Sequence, residues 1–125
     1  MILLFDTHAI LWWLEDPTSL SAAAREAITD PENEVFVSAV SAWEIAIKRG
    51  LGKLDAPGDF GIAIETCGFK SLPITISHGL ATEQLPPHHR DPFDRMLIAQ
   101  AQLENATLIT RDPLIAMYQV PIIRC

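Results

Sequence analysis

Short apolar runs typical of buried strands alternate along this chain with segments that have the periodicity of helices. The first run, residues 2–5, is apolar at every position, as expected for a strand covered on both faces of a parallel sheet. Further strands are predicted over 35–37, 72–76, 108–110 and, as an edge strand, 122–123. Alternation of this kind predicts an α/β fold built on a parallel, doubly wound sheet.

Six helices are predicted between these strands from apolar spacing and capping residues. They cover 7–15, 22–28, a segment that starts at Ser38 or Ser41 and ends near Gly50, 60–67, 77–84 with Ser77 as its cap, and 91–104, which opens at Asp91-Pro92. One or two further helical turns are predicted after Asp112-Pro113, and surface loops over 51–58 and 85–91.

Length and charge limit the class of protein. At 125 residues the chain is expected to form one domain, residues 1–125. No apolar run approaches the roughly 20 residues of a membrane span, and the start lacks a basic segment, so a cytoplasmic location without membrane attachment is expected. Cys67 and Cys125 form no CxxC motif and are expected to be reduced. A net charge of −7 argues against tight nonspecific binding to nucleic acid but does not exclude a nuclease.

Four acidic residues, Asp6, Glu44, Asp94 and Asp112, each lie just beyond a short apolar run and at or inside the start of a predicted helix. Ligands of α/β sheets bind outside the carboxyl ends of the strands, so acids at such junctions are predicted to share one pocket. Mg²⁺ and Mn²⁺ prefer carboxylate ligands of this kind.

Helix capping is the alternative explanation for each acid, because Asp accepts hydrogen bonds from free backbone N–H groups and meets the positive end of the helix dipole. Ser41 with Glu44 fits a capping box, and Asp91 is predicted to cap the helix that carries Asp94. Recurrence at four junctions favours metal binding, since Ser or Asn would cap equally well. Asp91 is assigned to the cap alone, and Asp112, which precedes Pro113, also stands in an ideal capping position.

Other chemistries find little support in the sequence. It contains no Gly-rich phosphate loop and no GxSxG elbow, and His8 stands where a phosphoaspartate enzyme would carry a second Asp. The histidines His8, His78, His88 and His89 lack the spacing of a zinc site. His88 and His89 are predicted to be solvated, and no histidine is included in the metal set.

Four segments together resemble the PIN-domain proteins of the VapC toxin type, the ribonuclease half of a bacterial toxin–antitoxin pair. They are Leu3-Leu4-Phe5-Asp6-Thr7-His8, Val37-Ser38-Ala39-Val40-Ser41-Ala42-Trp43-Glu44-Ile45, His89-Arg90-Asp91-Pro92-Phe93-Asp94-Arg95-Met96-Leu97-Ile98-Ala99 and Leu108-Ile109-Thr110-Arg111-Asp112. Each is weak alone, but in this order and spacing they are specific.

The resemblance implies a PIN-like three-layer α/β/α fold with a short, mainly parallel sheet. It also implies that Asp6, Glu44, Asp94 and Asp112 form a catalytic Mg²⁺ or Mn²⁺ site that hydrolyses RNA phosphodiester bonds. Homodimerisation is implied too, with capture by a small antitoxin whose C-terminal segment covers the acidic groove. Two alternatives remain open from the residues: a catalytically silent metal-binding interaction module, and a metal-dependent DNA nuclease or phosphatase.

Several neighbouring residues admit two interpretations. Thr7 and Thr110 either hold carboxylates or make ordinary turn hydrogen bonds. The cations Arg95, Arg111, Lys48, Arg49 and Lys53 either contact RNA or serve local ion pairing and a helix C-terminus. Trp12 and Trp13 cannot both face the core, so one of them either joins a partner-binding surface or is partly buried against a neighbouring helix.

Overall fold

The computed structural model of the protein describes residues 1–55 and 58–125, so part of the predicted loop 51–58 lies outside the described residues. The strands are β1 (Ile2–Phe5), β2 (Glu34–Ser38), β3 (Lys70–Leu72), β4 (Thr107–Thr110) and β5 (Ile122–Arg124). The helices are α1 (Thr7–Glu15), α2 (Ala22–Thr29), α3 (Ala39–Gly50), α4 (Phe60–Thr66), α5 (Ile76–Ala81) and α6 (Pro92–Glu104). Three short 3₁₀ turns cover Pro17–Ser19, Thr82–Gln84 and Ile115–Met117. None of the helices in the described ranges has the length and apolar character needed to cross a membrane.

The five strands form one parallel sheet in the order β3-β2-β1-β4-β5. In the centre, Leu4 of β1 is in register with Phe36 of β2 on one side and with Leu108 of β4 on the other. The chain therefore leaves β1 toward one edge and later returns to its opposite side. Such a reversal opens a crevice at the carboxyl ends of the strands, which is where parallel sheets bind ligands.

Both faces of the sheet are covered by helices, which confirms the predicted α/β fold with three layers. Because successive strand residues point to opposite faces, Leu3 and Phe5 belong to one core and Leu4 to the other. The first core includes Ile10 of α1, and the second includes Leu97 of α6. Leu3, Leu4 and Phe5 are fully buried, and each contributes about 1.5–3 kcal/mol of hydrophobic stabilisation.

The predicted strand over 72–76 is wrong in its position. β3 spans Lys70–Leu72 instead and is followed by Pro73, whose missing N–H cannot extend a ladder. Thr75, rather than the predicted Ser77, caps the next helix by accepting a hydrogen bond from the backbone N–H of His78. The His78 ring accepts a bond from the Thr75 backbone N–H, completing a capping box in which histidine replaces the usual Glu or Gln.

Helix α3 begins one residue after Ser38, so the capping box predicted between Ser41 and Glu44 is not formed. The Ser38 hydroxyl accepts from the backbone N–H of Val40 and donates to Oε1 of Gln100 on α6 at 2.6 Å. Ser41 is instead buried and accepts a hydrogen bond from Thr7. Glu44 consequently lies in the second turn of α3, where its carboxylate plays no part in capping.

Candidate metal centre

The four predicted acids converge at the carboxyl edge of the sheet. Asp6 follows β1 directly, Asp112 comes two residues after the adjacent β4, Glu44 is carried by α3, and Asp94 lies in the first turn of α6. The charges of Asp6 and Glu44 both act on Asp94, and the charge of Asp112 acts on Asp6. The four acids therefore lie close enough for their charges to interact, and their joint binding of a metal stays a prediction.

Asp6 serves the start of a helix and the acidic cluster at the same time. Its Oδ1 accepts from the backbone N–H of Ala9 at 2.7 Å, and its Oδ2 accepts from the hydroxyl of Thr110. Only 5% of Asp6 is exposed, and burial raises the pKa of its carboxyl while the Thr110 hydrogen bond lowers it. Capping and clustering are thus compatible roles of one carboxylate.

Glu44 has one satisfied and one unsatisfied carboxylate oxygen. Its Oε2 lies 2.5 Å from Nζ of Lys48, one helical turn away. Its Oε1 is buried and has no hydrogen-bond partner among the described residues. A buried, unpaired carboxylate oxygen is costly, and a bound cation would remove that cost.

Asp94 carries the largest electrostatic perturbation of the cluster. Burial, followed by the charges of Asp91, Asp6 and Glu44, raises its pKa to about 7, and His89 opposes this rise. Near neutral pH the cation-free site therefore holds a proton in place of part of its negative charge. A divalent cation at the same place would allow Asp94 to ionise.

His89 is the residue of the site that the sequence did not predict. Its Nε2 lies 3.0 Å from Oδ2 of Asp94 and 2.9 Å from Oδ2 of Asp112. With only 9% of its surface exposed, the predicted solvation of His89 is wrong, whereas His88 is exposed as predicted. The one sequence feature that indicates a role in the site is the position of His89 two residues before Asp91, at the start of α6. The composition of the loop around His89 is typical of solvated segments and led to the wrong prediction.

Among the described residues, the side chains of His89, Asp94 and Asp112 place one potential ligand atom each within 4.8 Å of one another. The four acids offer carboxylate oxygens from several segments, and His89 adds an imidazole ring beside them. That donor set suits a hard cation such as Mg²⁺ or Mn²⁺.

Asp91 lies beside the site as a helix cap, as predicted. Its Oδ1 accepts from the backbone N–H groups of Phe93 and Asp94 at 2.8 and 3.2 Å. Asp112 combines two roles, since its Oδ1 accepts from the backbone N–H of Leu114 while its Oδ2 meets His89. The predicted helical turn after Asp112 is the 3₁₀ turn that begins at Ile115.

The structure shows which of the neighbouring threonines and lysines contact the acids. Thr110 holds the Asp6 carboxylate, whereas the Thr7 hydroxyl donates its hydrogen bond to Ser41. Lys48 is paired with Glu44 at the site.

Two arginines stabilise the chain around the site. Arg95 donates to backbone carbonyls, including those of Thr82 and His89. Arg111 stacks on the ring of Trp12, with its guanidinium carbon 3.7 Å from the ring centroid. Both local interactions favour a structural role, and Trp12 and Trp13 are both partly buried.

Comparison with known proteins supports this account of the fold. A family model described as PIN domain matches residues 3–120. The chain is 29% identical over 126 residues to Ribonuclease VapC22 of Mycobacterium tuberculosis (strain ATCC 25618 / H37Rv), covering 94% of this chain and 92% of that protein.

Solved structures of VapBC proteins share the fold at low identity. The chain matches a structure of DNA-bound VapBC from Salmonella typhimurium with a TM-score of 0.72 and 14% identity, over 99% of this chain and 98% of the other. It matches VapBC2 from Rickettsia felis, bound to a DNA fragment from its promoter, with the same TM-score, identity and coverage.

Proposed function

The chain belongs to the PIN-domain family, and from this premise we propose that it is a metal-dependent endoribonuclease toxin of the VapC type, neutralised by a cognate antitoxin. The relative named Ribonuclease VapC22 supports the activity. The VapBC structures support the partner, since each was solved as a complex. We assign RNA as the substrate.

The observation that carries the proposal is the convergence of four carboxylates at the crevice of the sheet. Helix capping alone explains neither the burial of Glu44, which caps nothing, nor the pKa of about 7 at Asp94. Strongly perturbed groups clustered in a cleft are typical of functional sites.

Asp6, Glu44, Asp94 and Asp112 are the residues that would hold a divalent cation. The unpaired Oε1 of Glu44 is an oxygen already dehydrated and available as a ligand. Bound there, Mg²⁺ or Mn²⁺ would polarise a phosphodiester oxygen and stabilise the negative charge that develops during hydrolysis.

The protein's own residues prepare the site for that charge. The Thr110 hydroxyl favours the ionised form of Asp6, and the Lys48 ammonium neutralises part of the charge of Glu44. Lys48 is 36% exposed, so its ammonium is accessible to an incoming phosphate. Without a cation the remaining carboxylates repel the RNA backbone, which makes substrate binding depend on metal.

Charge complementarity favours basic groups on the antitoxin segment that covers this groove. The net charge of the chain is −7, and the acidic site contributes to it. We expect the complex to weaken at high salt and when site charges are removed. A complex that forms equally well under both conditions would contradict the electrostatic part of the proposal.

An exposed apolar surface supports the proposed homodimer. Trp43 is 59% exposed and packs edge-on against Phe93, and both line a cavity of about 440 Å³ together with Ile74. Apolar surface of this kind, left open in a single chain, is typical of protein interfaces. Trp43→Ser should therefore shift the protein toward monomers in sedimentation measurements. An unchanged dimer would place the interface elsewhere.

The activity is tested by incubating the purified protein with RNA, DNA or a small phosphoester, in Mn²⁺ or with a chelator. We expect RNA alone to be cleaved, only with metal, and Asp6→Asn to abolish cleavage. DNA or phosphoester hydrolysis would favour the alternative nuclease or phosphatase, and intact substrates throughout would favour an interaction module. We propose that the protein acts on RNA in the cytoplasm.

A further inference from the structure

His89 lies between two carboxylates of the proposed metal site, and its role depends on which of its ring nitrogens carries a proton. Its Nδ1 accepts a hydrogen bond from the backbone N–H of Asp91 at 3.2 Å. A ring nitrogen that accepts from an N–H group uses its lone pair in that bond. The proton of the ring is therefore on Nε2.

The Nε2–H group donates to Asp112 and lies beside Asp94. The nitrogen makes a hydrogen bond of 2.9 Å to Oδ2 of Asp112, and Oδ2 of Asp94 lies 3.0 Å from the same nitrogen. The ring thus stands between two carboxylates that come from different parts of the fold, bonded to one and in contact with the other. With its proton on Nε2 and its other lone pair given to Asp91, the ring has no lone pair for a cation.

The backbone around His89 is fixed although it belongs to neither helix nor strand. The His89 N–H donates to the hydroxyl of Tyr118 at 2.8 Å, and its carbonyl accepts from the Arg95 guanidinium at 3.1 Å. The Tyr118 hydroxyl donates in turn to the carbonyl of Pro86 at 2.6 Å. Tyr118 is itself buried. These bonds fix the main chain of His89, and the contacts of the ring with Asp91 and Asp112 orient the imidazole.

We propose that His89 is a positioning residue that holds Asp112 through its Nε2–H and keeps this carboxylate next to Asp94, and that it is not a ligand of the cation. The inference rests on the proposed function, because it takes these two aspartates as metal-binding residues. The loop before α6 thereby delivers a hydrogen-bond donor to the Asp112 carboxylate, next to Asp94. Partners of this kind around metal ligands commonly change metal affinity by about 10–100-fold.

The first test is Mn²⁺ binding, followed by the EPR signal of the free ion, in the wild type and in variants of His89 and His88. His89→Ala removes the donor and should weaken binding by at least about 10-fold. His89→Gln places an amide N–H close to the position of Nε2, and it should restore most of the loss. His88→Phe removes the exposed neighbouring imidazole while keeping an aromatic ring against Tyr118, and it should bind as the wild type does. Wild-type affinity in His89→Ala would overturn the proposal.

The second test separates a positioning residue from a ligand, and its main result comes from the wild type alone. Pulsed EPR of Mn²⁺ bound to the wild type detects a directly coordinated ¹⁴N nucleus. We expect no such coupling. A directly bound nitrogen in the wild type that is missing from His89→Gln would show that the ring is a ligand and would overturn the inference.

Asp94→Asn distinguishes a failure of this inference from a failure of the proposed function. If the wild type binds Mn²⁺ and Asp94→Asn does not, the metal site stands, and indifference to His89 contradicts only the positioning role. If Mn²⁺ fails to bind the wild type, or binds Asp94→Asn equally well, the metal site and the inference both fail.

Discussion

Asp94→Asn should make the cation-free protein more stable while removing its activity. In the folded protein the pKa of Asp94 is raised from 3.8 to about 7, first by burial and then by neighbouring carboxylates. The unfolded chain therefore releases this proton at lower pH than the folded protein does. The stability that the protonated group contributes is fully present below about pH 4 and is lost as the pH rises through about 7. Asparagine carries no such proton and escapes the loss.

The difference between the unfolded and folded pKa values of Asp94 sets the size of the stability gain. Since one pH unit corresponds to about 1.4 kcal/mol, the rise from 3.8 to about 7 sets an upper limit of about 4 kcal/mol. The side chain is 19% exposed, and the neighbouring carboxylates titrate with it. Screening and this coupling reduce the expected gain to about 1–3 kcal/mol at about pH 8. The His89 Nε2–H donates to Asp112, and the substitution at position 94 does not remove that hydrogen bond.

The measurement is the free energy of unfolding by urea, in chelator, from about pH 4.5 to about pH 8. The advantage of Asp94→Asn should be small at the acidic end and full at the basic end. Asp59→Asn, which keeps a capping side chain at the exposed start of α4, should show no such growth. With Mn²⁺ at about 100 times its Kd, the wild type gains about 2.7 kcal/mol in free energy of unfolding. The stability difference in favour of Asp94→Asn therefore shrinks or changes sign. An Asn variant that is less stable than wild type in chelator at about pH 8 would refute this reasoning.

Three further predictions concern residues that support the acids. Thr110→Val removes the hydrogen bond to Asp6 and should weaken Mn²⁺ binding by about 10-fold, measured by titration, at a stability cost of about 1 kcal/mol. Lys48→Met leaves the buried Glu44 without its ion pair and should cost about 1–3 kcal/mol in chelator, less in Mn²⁺, by urea unfolding. Ser38→Ala removes the cap of α3 and should cost about 1–2 kcal/mol, also by urea unfolding.

Matched variants in the same chain serve as controls. Thr7→Val is the same change in a buried threonine that bonds to Ser41 instead of a carboxylate, so it should lower stability without weakening Mn²⁺ binding. Lys70→Met breaks an exposed pair with Glu34 and should cost less than about 1 kcal/mol. Equal losses of metal affinity in Thr7→Val and Thr110→Val, or equal stability losses in the two lysine variants, would contradict these explanations.

The sheet and most helices could be predicted because local sequence dictates them. The run in β1 is apolar at every position, so it fits a buried strand and not an amphipathic element. The pair Asp91-Pro92 combines a helix cap with a proline at the first helical position. The position of β3 could not be predicted, because its residues Lys70 and Ser71 are exposed and carry no strand pattern. Its pairing with β2 is a tertiary contact that local periodicity does not contain.

The candidate site could be predicted in its acids but not in its hydrogen bonds. Parallel strands end at one edge, so acids that follow them are brought together by topology alone. The contact of His89 with Asp94 and Asp112 depends on how Tyr118 and Arg95 fold the preceding loop. No helical or strand periodicity links Tyr118 and Arg95 to His89, so these contacts could not be found from the sequence.

Single-stranded RNA cleavage in Mn²⁺ by four charge-removing variants tests the central claim most directly. The variants are Asp6→Asn, Glu44→Gln, Asp94→Asn and Asp112→Asn. Each should lower the rate by at least about 100-fold, equivalent to about 2.7 kcal/mol of barrier, while Asp59→Asn cleaves as the wild type does. Cleavage that continues in chelator, or that survives Asp94→Asn at the wild-type rate, would contradict the claim that these acids form one metal-dependent catalytic site.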